Sequence, residues 1–295
     1  MENPAETEHV ETAAEKEAPH APERILCSEE MAARFLPHLE GHLGRLPKKP
    51  FLEVEPFPHL VIDDFLPDEL CAQVESYGRS LEGLDENIHL NSKKLAANRY
   101  WEFDAEPREL LSFFYSEHFE RFLSRVTGVE GVHADHRYNW GGGYHFLPKG
   151  GFLNVHKDFN IHPYTNEHRR LNAILYLNRG WRDQDGGQLE LWDMERKERF
   201  ASIVPIFNRL VIFETSEASY HGNPEKVVRD DQPRMSYSLY YYTAGRPDAD
   251  EITQHTTVYV DRPGEYTNLL RKLTAPLKEV LPASLVEKLR AYLRK

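Results

Sequence analysis

Cysteine is scarce, with Cys27 and Cys71 the only two in 295 residues. No CxxC spacing joins them, so neither a disulfide framework nor a zinc knuckle is indicated, and both are expected to be reduced structural thiols. Basic charge is also in deficit: 36 Lys and Arg stand against 48 Asp and Glu, a net charge of -12. A nucleic-acid partner is therefore not expected, because a phosphate backbone selects clustered Lys and Arg. No apolar run approaches the ~18 residues of a membrane span, and the first residues are acidic where a signal peptide would be basic and then apolar. We expect a cytoplasmic protein without a membrane partner; oligomeric state is not legible. Repeats are absent. Residues 1–25 lack aromatics and hold seven Glu, three Pro and two basic residues. That composition buries too little surface to offset the entropy of ordering, so 1–27 read as a disordered acidic tail.

What is present is enough for a real core, at 40% hydrophobic and 12% aromatic residues. Residues 28–133 read as a support region of helices and a strand. Met31, Phe35, Leu36 and Leu39 suit a short amphipathic helix after a Ser28 cap, and "HLVIDDF" suits a strand. "PDELCAQVESYGRSL" begins a helix at Pro67, and "PRELLSFFYSEHFERFLSRVTG" predicts one longer helix closed by Gly128. Residues 134–245 change texture to short alternating segments with turn residues at Asp185-Gly186-Gly187 and Asn208, the pattern of a sandwich or barrel. Residues 246–295 read as a linker and a helical C-terminus packed on the sheet.

The chemistry rests on a His-x-Asp triplet, His156-Lys157-Asp158. This composition gives roughly one such triplet by chance, and a second exists at His133-Ala134-Asp135. Context separates them. Residues i and i+2 of a strand share a face, so "FLNVHKD" aims the His156 imidazole and the Asp158 carboxylate into one space. Two histidines and a carboxylate on one face of iron(II) leave three positions open, as in non-haem iron oxygenases. His221, just past the strand "RLVIFET", is placed to be the second histidine. "GVEGVHADHRYNWGGG" is polar and Gly-broken, and offers His133 no comparable strand.

Open positions call for a co-substrate and an anchor. In "RMSYSLYYYT" Arg234, Ser236, Ser238, Tyr240 and Tyr242 share one face, and an Arg at a strand start can fork onto a carboxylate. In "LNAILYLN" Asn172, Ile174, Tyr176 and Asn178 face away from Leu171, Ala173, Leu175 and Leu177, which lets Tyr176 reach the same carboxylate. His145, Trp140 and Arg137 flank the expected mouth and are candidate substrate contacts.

Taken in order, "GGGYHFLPKGGFLNVHKDFN", "RRLNAILYLNRGW", "DGGQLELWD", "YHGNP" and "RMSYSLYYYT" resemble the 2-oxoglutarate and iron(II)-dependent oxygenases of the prolyl 4-hydroxylase type, over about residues 57–245. The resemblance implies a mostly β double-stranded β-helix, a distorted jelly roll. It implies iron held by His156, Asp158 and His221, and 2-oxoglutarate chelating that iron with its far carboxylate on Arg234, aided by Tyr176, Ser236 or Ser238. Fe(II), 2-oxoglutarate, dioxygen and ascorbate are the implied cofactors. A long stretch between His221 and Arg234 makes Arg229 the alternative anchor. Asp158, where related halogenases carry a small residue, favours hydroxylation. The implied substrate is a prolyl residue of a protein, a free amino acid or a natural-product intermediate, with no side-chain base beyond the metal ligands. Two other readings stay open: a cupin-like metal enzyme that does not use 2-oxoglutarate, and a non-catalytic binding jelly roll.

Overall fold

The computed structural model describes residues 20–21, 25–249 and 252–265. Most of the expected acidic tail and the expected C-terminal helix lie outside the described residues. The first helix, α1 (Glu29–Leu43), starts where Ser28 accepts the Met31 N–H at 3.1 Å, and it buries Met31, Phe35 and Leu39. The second, α2 (Asp68–Ser80), follows Pro67 with Asp68 and Glu69 in its first turn, where acids complement the helix dipole.

The single long helix expected after "PRELL" is two: α3 (Ala105–Ser112) and α4 (Glu117–Thr127), with a 3₁₀ turn at Phe113–Tyr115 between them. Ser116 takes an extended backbone and its hydroxyl accepts the Phe119 N–H, so the chain restarts there. The break lets all three aromatics of the turn point inward. Phe113 stacks on Phe35 with ring centres 3.9 Å apart, and Tyr115 stacks on Tyr100 at 4.4 Å. Tertiary packing has overridden helical periodicity. Gly128, at φ 71°, ends α4 as expected, in a conformation that costs glycine little.

Thirteen strands are formed by the described residues. They are β1 (His59–Ile62), β2 (Asp85–His89), β3 (Ser92–Ala97), β4 (His133–Ala134), β5 (Gly143–Leu147), β6 (Phe152–Lys157) and β7 (His168–Tyr176). Then come β8 (Leu189–Asp193), β9 (Glu198–Ile203), β10 (Arg209–Glu214), β11 (Tyr220–Asn223), β12 (Arg234–Thr243) and β13 (Val258–Tyr259). All pairings are antiparallel, in the order β1-β10-β7-β12-β5-β3-β6-β11-β8-β9, with β2 on β3, β4 on β12 and β13 on β6. Because β3 pairs with both β5 and β6, it joins the two halves of a curled, jelly-roll sheet.

Period-two alternation decides what each half presents. Leu171, Ala173 and Leu175 of β7, with Met235, Tyr237, Leu239 and Tyr241 of β12, pack against Phe35, Leu70, Phe114 and Leu123 from the helices. The opposite faces of the same strands are turned inward. There Tyr176, Leu189, Leu191, Val211 and Phe213 form a second, smaller core between the two halves. At ~1.5–3 kcal/mol per fully buried large apolar side chain, the larger helix-facing layer contributes more to stability than the inner one. Cys71 is buried in this layer and Cys27 lies at its margin, both as free thiols. No helix among the described residues is long and apolar enough to cross a membrane.

Candidate active site

The register of β6 and β11 builds the site. His156 and His221 are direct cross-strand partners, which brings their ring centres to 4.5 Å. β6 ends at Lys157, so Asp158 is the first residue beyond it rather than within the strand, yet its carboxylate still returns to the His156 side. Its Oδ1 lies 3.4 Å from His156 Nε2 and its Oδ2 3.4 Å from His221 Nε2. One donor atom from each residue lies within 4.8 Å of the other two.

The tautomers follow from the neighbours. His156 Nδ1 lies 2.8 Å from the Asn154 carbonyl, and His221 Nδ1 lies 2.9 Å from the Ser219 carbonyl. A carbonyl can only accept, so each Nδ1 carries the proton and each Nε2 turns a lone pair toward the carboxylate. Burial keeps the His156 imidazole below its ordinary pKa and therefore neutral. Burial alone would raise the Asp158 carboxyl, but the Arg169 guanidinium holds it well below the usual carboxylate range. Two imidazoles and one carboxylate, with their ligand atoms convergent, suit a divalent transition metal with positions left open.

Asp158 is itself held. Arg169 Nη2 and Asn172 Nδ2 each donate to Oδ2 at 2.8 Å, leaving Oδ1 free of both. Arg169 is fully buried, with its guanidinium carbon 3.5 Å from the centre of the Tyr240 ring. Strict alternation from Leu171 would send Arg169 to the helix side. A bulge prevents this: Tyr241 pairs with Leu171 but Tyr242 pairs with Arg169, so Arg170 is the extra residue and parity inverts. Sequence reasoning missed Arg169 for that reason, and "HRR" carries no signal of the bulge.

The triad lines a partly open cavity of about 170 Å³. Arg234, buried on β12, donates to the Tyr176 hydroxyl and to Ser236 Oγ, each at 3.2 Å, and lies over the Tyr176 ring. Its Nε is buried with no hydrogen-bond partner, although a guanidinium can donate five times. An unpaired, desolvated edge of this kind fits an anionic ligand. Ser238 lines the same cavity. Arg229 is elsewhere: half-buried at the surface, paired with Asp231, and donating to the Gly180 carbonyl at 3.1 Å. The turn at Gly186 and Gly187 holds the intervening stretch in place, since a Cβ on Gly186 would lie 2.1 Å from the Lys226 carbonyl oxygen. The donor set and the cation thus fit a metal and a carboxylate ligand side by side.

Of the three candidate substrate contacts only His145 lines the cavity, where it donates from Nε2 to the Gly141 carbonyl at 2.9 Å. Trp140 meets Tyr164 edge-on and Arg137 lies over Tyr138, both outside it. The reason is Asp135. Its carboxylate accepts the backbone N–H of Arg137, Tyr138 and Trp140 at 2.8–3.1 Å and that of His162 Nε2 at 3.0 Å, folding the loop back on itself. The competing triplet is therefore structural, and His133 sits on the short strand β4 rather than in a turn. Asp135→Ala should keep bound metal but lose about 1–3 kcal/mol of stability, since the buried His162 side chain and three loop amides lose their acceptor. Burial alone would raise the Asp135 carboxyl, but His162 and these amides hold it below its ordinary value. Its contribution is thus present at neutral pH and lost as acid titrates the folded carboxyl. Thermal unfolding of the variant across pH checks both statements.

The cavity also receives a lysine that sequence reasoning did not single out, Lys94 on β3. The β2–β3 hairpin was not anticipated, because "DENIHLNSKKLAAN" is polar and β2 is exposed at every position.

Comparison with known proteins agrees with this geometry. Residues 136–242 match the family model described as the 2OG-Fe(II) oxygenase superfamily, a span that contains the triad, Tyr176 and Arg234. The chain is 28% identical over 201 residues to the mouse protein named prolyl 3-hydroxylase OGFOD1, covering 65% of this chain and 34% of that one. The Xenopus laevis protein of the same name is 29% identical over 222 residues, covering 69% and 38%. The chain therefore spans about a third of the length of these curated relatives. A prolyl 4-hydroxylase structure from Phytophthora capsici superposes with a TM-score of 0.53 at 18% identity, over 81% of this chain and 75% of that one, and shares the fold. The match to the 2OG-Fe(II) oxygenase family model and the convergent donor geometry thus fall on the same residues, within 136–242.

Proposed function

We propose that the protein is an Fe(II)- and 2-oxoglutarate-dependent hydroxylase acting on a prolyl residue of a protein or peptide. The observation that carries the reaction class is the buried Arg234, with its Nε unpartnered, in the cavity lined by His156, Asp158 and His221. A metal enzyme of cupin type without 2-oxoglutarate would have no use for that cation, and a binding jelly roll would need neither. What supports the prolyl reading is the likeness to two proteins named prolyl 3-hydroxylase.

In this reading His156, Asp158 and His221 hold the iron, and Arg234, Tyr176 and Ser236 bind the distal carboxylate of 2-oxoglutarate. When bound, iron and 2-oxoglutarate supply the oxidation of an unactivated C–H bond by dioxygen, with succinate and carbon dioxide released. The chain supplies geometry. Asn154 and Ser219 lock the imidazoles through their carbonyls, and Arg169 with Asn172 fixes the carboxylate, which is the outer support such a centre needs. No side chain has to act as general base, and ascorbate would serve only to keep the iron reduced.

Succinate formation from 2-oxoglutarate should require Fe(II), and Zn(II) should occupy the site without turnover, because zinc has no accessible second oxidation state. Full turnover in metal-stripped protein given only zinc would overturn the reading. Proline-containing peptides should gain one oxygen in the presence of Fe(II) and 2-oxoglutarate, and matched peptides with alanine for proline should not; oxidation of both alike would remove the prolyl assignment.

A further inference from the structure

Three cations line the cavity: Lys94, Arg169 and Arg234. Arg169 is committed to Asp158 and Asn172. Lys94 is not committed to anything. Among the described residues it has no hydrogen bond and no ion pair, and its surroundings are the charges of Asp158, Arg234 and Arg169 at longer range. Burial pushes its ammonium down to about 8.

Its seat is set by register. Leu95 pairs with Phe146 and Ala96 with His145, so antiparallel continuation puts Lys94 opposite Leu147; Leu147 in turn pairs with Arg234. Lys94, Leu147 and Arg234 therefore form one row across β3, β5 and β12, and all three line the cavity. Residues paired across a sheet share a face, so the ammonium and the guanidinium flank Leu147 from either side. Two like charges sharing a small space repel, neither is ion-paired, and the carboxylate of Asp158, which lines the same cavity, is already held by Arg169. The arrangement is favourable only around a ligand that brings negative charge. Lys93, one residue back, turns the other way and donates to the Lys149 carbonyl at the surface.

We propose that Lys94 is a second binding residue for 2-oxoglutarate, sharing with Arg234 the charge of the dianion, so that a hairpin outside the matched domain sets co-substrate affinity. The inference rests on the function proposed above. It also makes a second prediction for the free protein: removing a half-buried, unpaired charge that shares the cavity with Arg234 should leave the fold no less stable while weakening 2-oxoglutarate binding.

The test uses the full chain loaded with Fe(II) under anaerobic conditions, where the 2-oxoglutarate chelate has a visible charge-transfer absorption. Lys94→Met and Lys94→Gln should raise the dissociation constant for 2-oxoglutarate by about tenfold or more, the scale of one desolvated charge interaction. Fe(II) binding without 2-oxoglutarate should stay within about twofold. Lys94→Arg should recover part of the loss, and Lys93→Met should match wild type. In thermal unfolding of the metal-loaded protein, Lys94→Met should melt no lower than wild type without 2-oxoglutarate and gain less when it is added. If Lys94→Met binds 2-oxoglutarate within twofold of wild type while Arg234→Ala loses it, this inference falls and the proposed function stands. If the wild-type protein shows no 2-oxoglutarate binding by absorption or by melting shift, both fall.

Discussion

Asp158→Ala is expected to raise the dissociation constant for Fe(II) by about two to three orders of magnitude, corresponding to roughly 3–5 kcal/mol for removing one partner of a buried charge pair. Succinate formation should vanish with it. Two effects add. The triad loses its anionic donor, leaving two imidazoles whose lone pairs alone face a dication. Arg169, held by Oδ2 at 2.8 Å, then becomes a buried cation whose positive charge is no longer offset, close to where the metal must sit. Asn172 still accepts from Arg169, through Nε at 2.9 Å, so the side chain stays ordered and its charge stays in place. Lys157→Ala is the internal control, because Lys157 turns away from the site onto Glu217. Bound iron measured anaerobically for Asp158→Ala, Lys157→Ala and Asp135→Ala separates the two triplets; retention of iron in the first variant with loss in the third would mean that the wrong His-x-Asp carries the metal.

Arg234→Ala should weaken 2-oxoglutarate binding by about 2–5 kcal/mol, the cost of truncating one partner of a buried, hydrogen-bonded charge pair. Iron affinity should change little, since Arg234 contacts Tyr176 and Ser236 and none of the three donors. Arg229→Ala should behave as wild type, because its guanidinium is spent on Asp231 and the Gly180 carbonyl at the surface. Titration of the anaerobic iron complex with 2-oxoglutarate reads both variants directly. Loss in Arg229→Ala with none in Arg234→Ala would place the anchor on the wrong arginine.

How much of this was legible beforehand depended on whether local pattern or long-range pairing made the decision. Alternation along β7 and β12 correctly separated Leu171, Ala173 and Leu175 from Tyr176, and Met235 and Tyr237 from Arg234 and Ser236, because side chains on a regular strand must alternate; which face meets the helices came from the packing. The same rule failed at Arg169, where one extra residue in the ladder inverts the face. Helical periodicity placed the start of α1 and the end of α4, both marked by capping residues, and failed at Phe113–Tyr115, where burial of three aromatics outweighed continuity of the helix. Trp140 and Arg137 were read as facing the mouth because they are near His145 in sequence. Asp135, by gathering three backbone amides, turns them away.

The amino-acid sequence by itself determined the donor types, the strand-facing pattern around them and the resemblance that joins five segments into one roll, since each of these depends on residue identity and short spacing alone. Only the tertiary structure decided that His221 is the cross-strand partner of His156, that Arg234 and not Arg229 enters the cavity, and that Lys94 joins Arg234 from a polar hairpin with no apolar alternation to announce it. These are facts of register between segments tens to more than a hundred residues apart. Register is settled by which faces must be buried together across the whole sheet, and no local stretch of sequence contains that information.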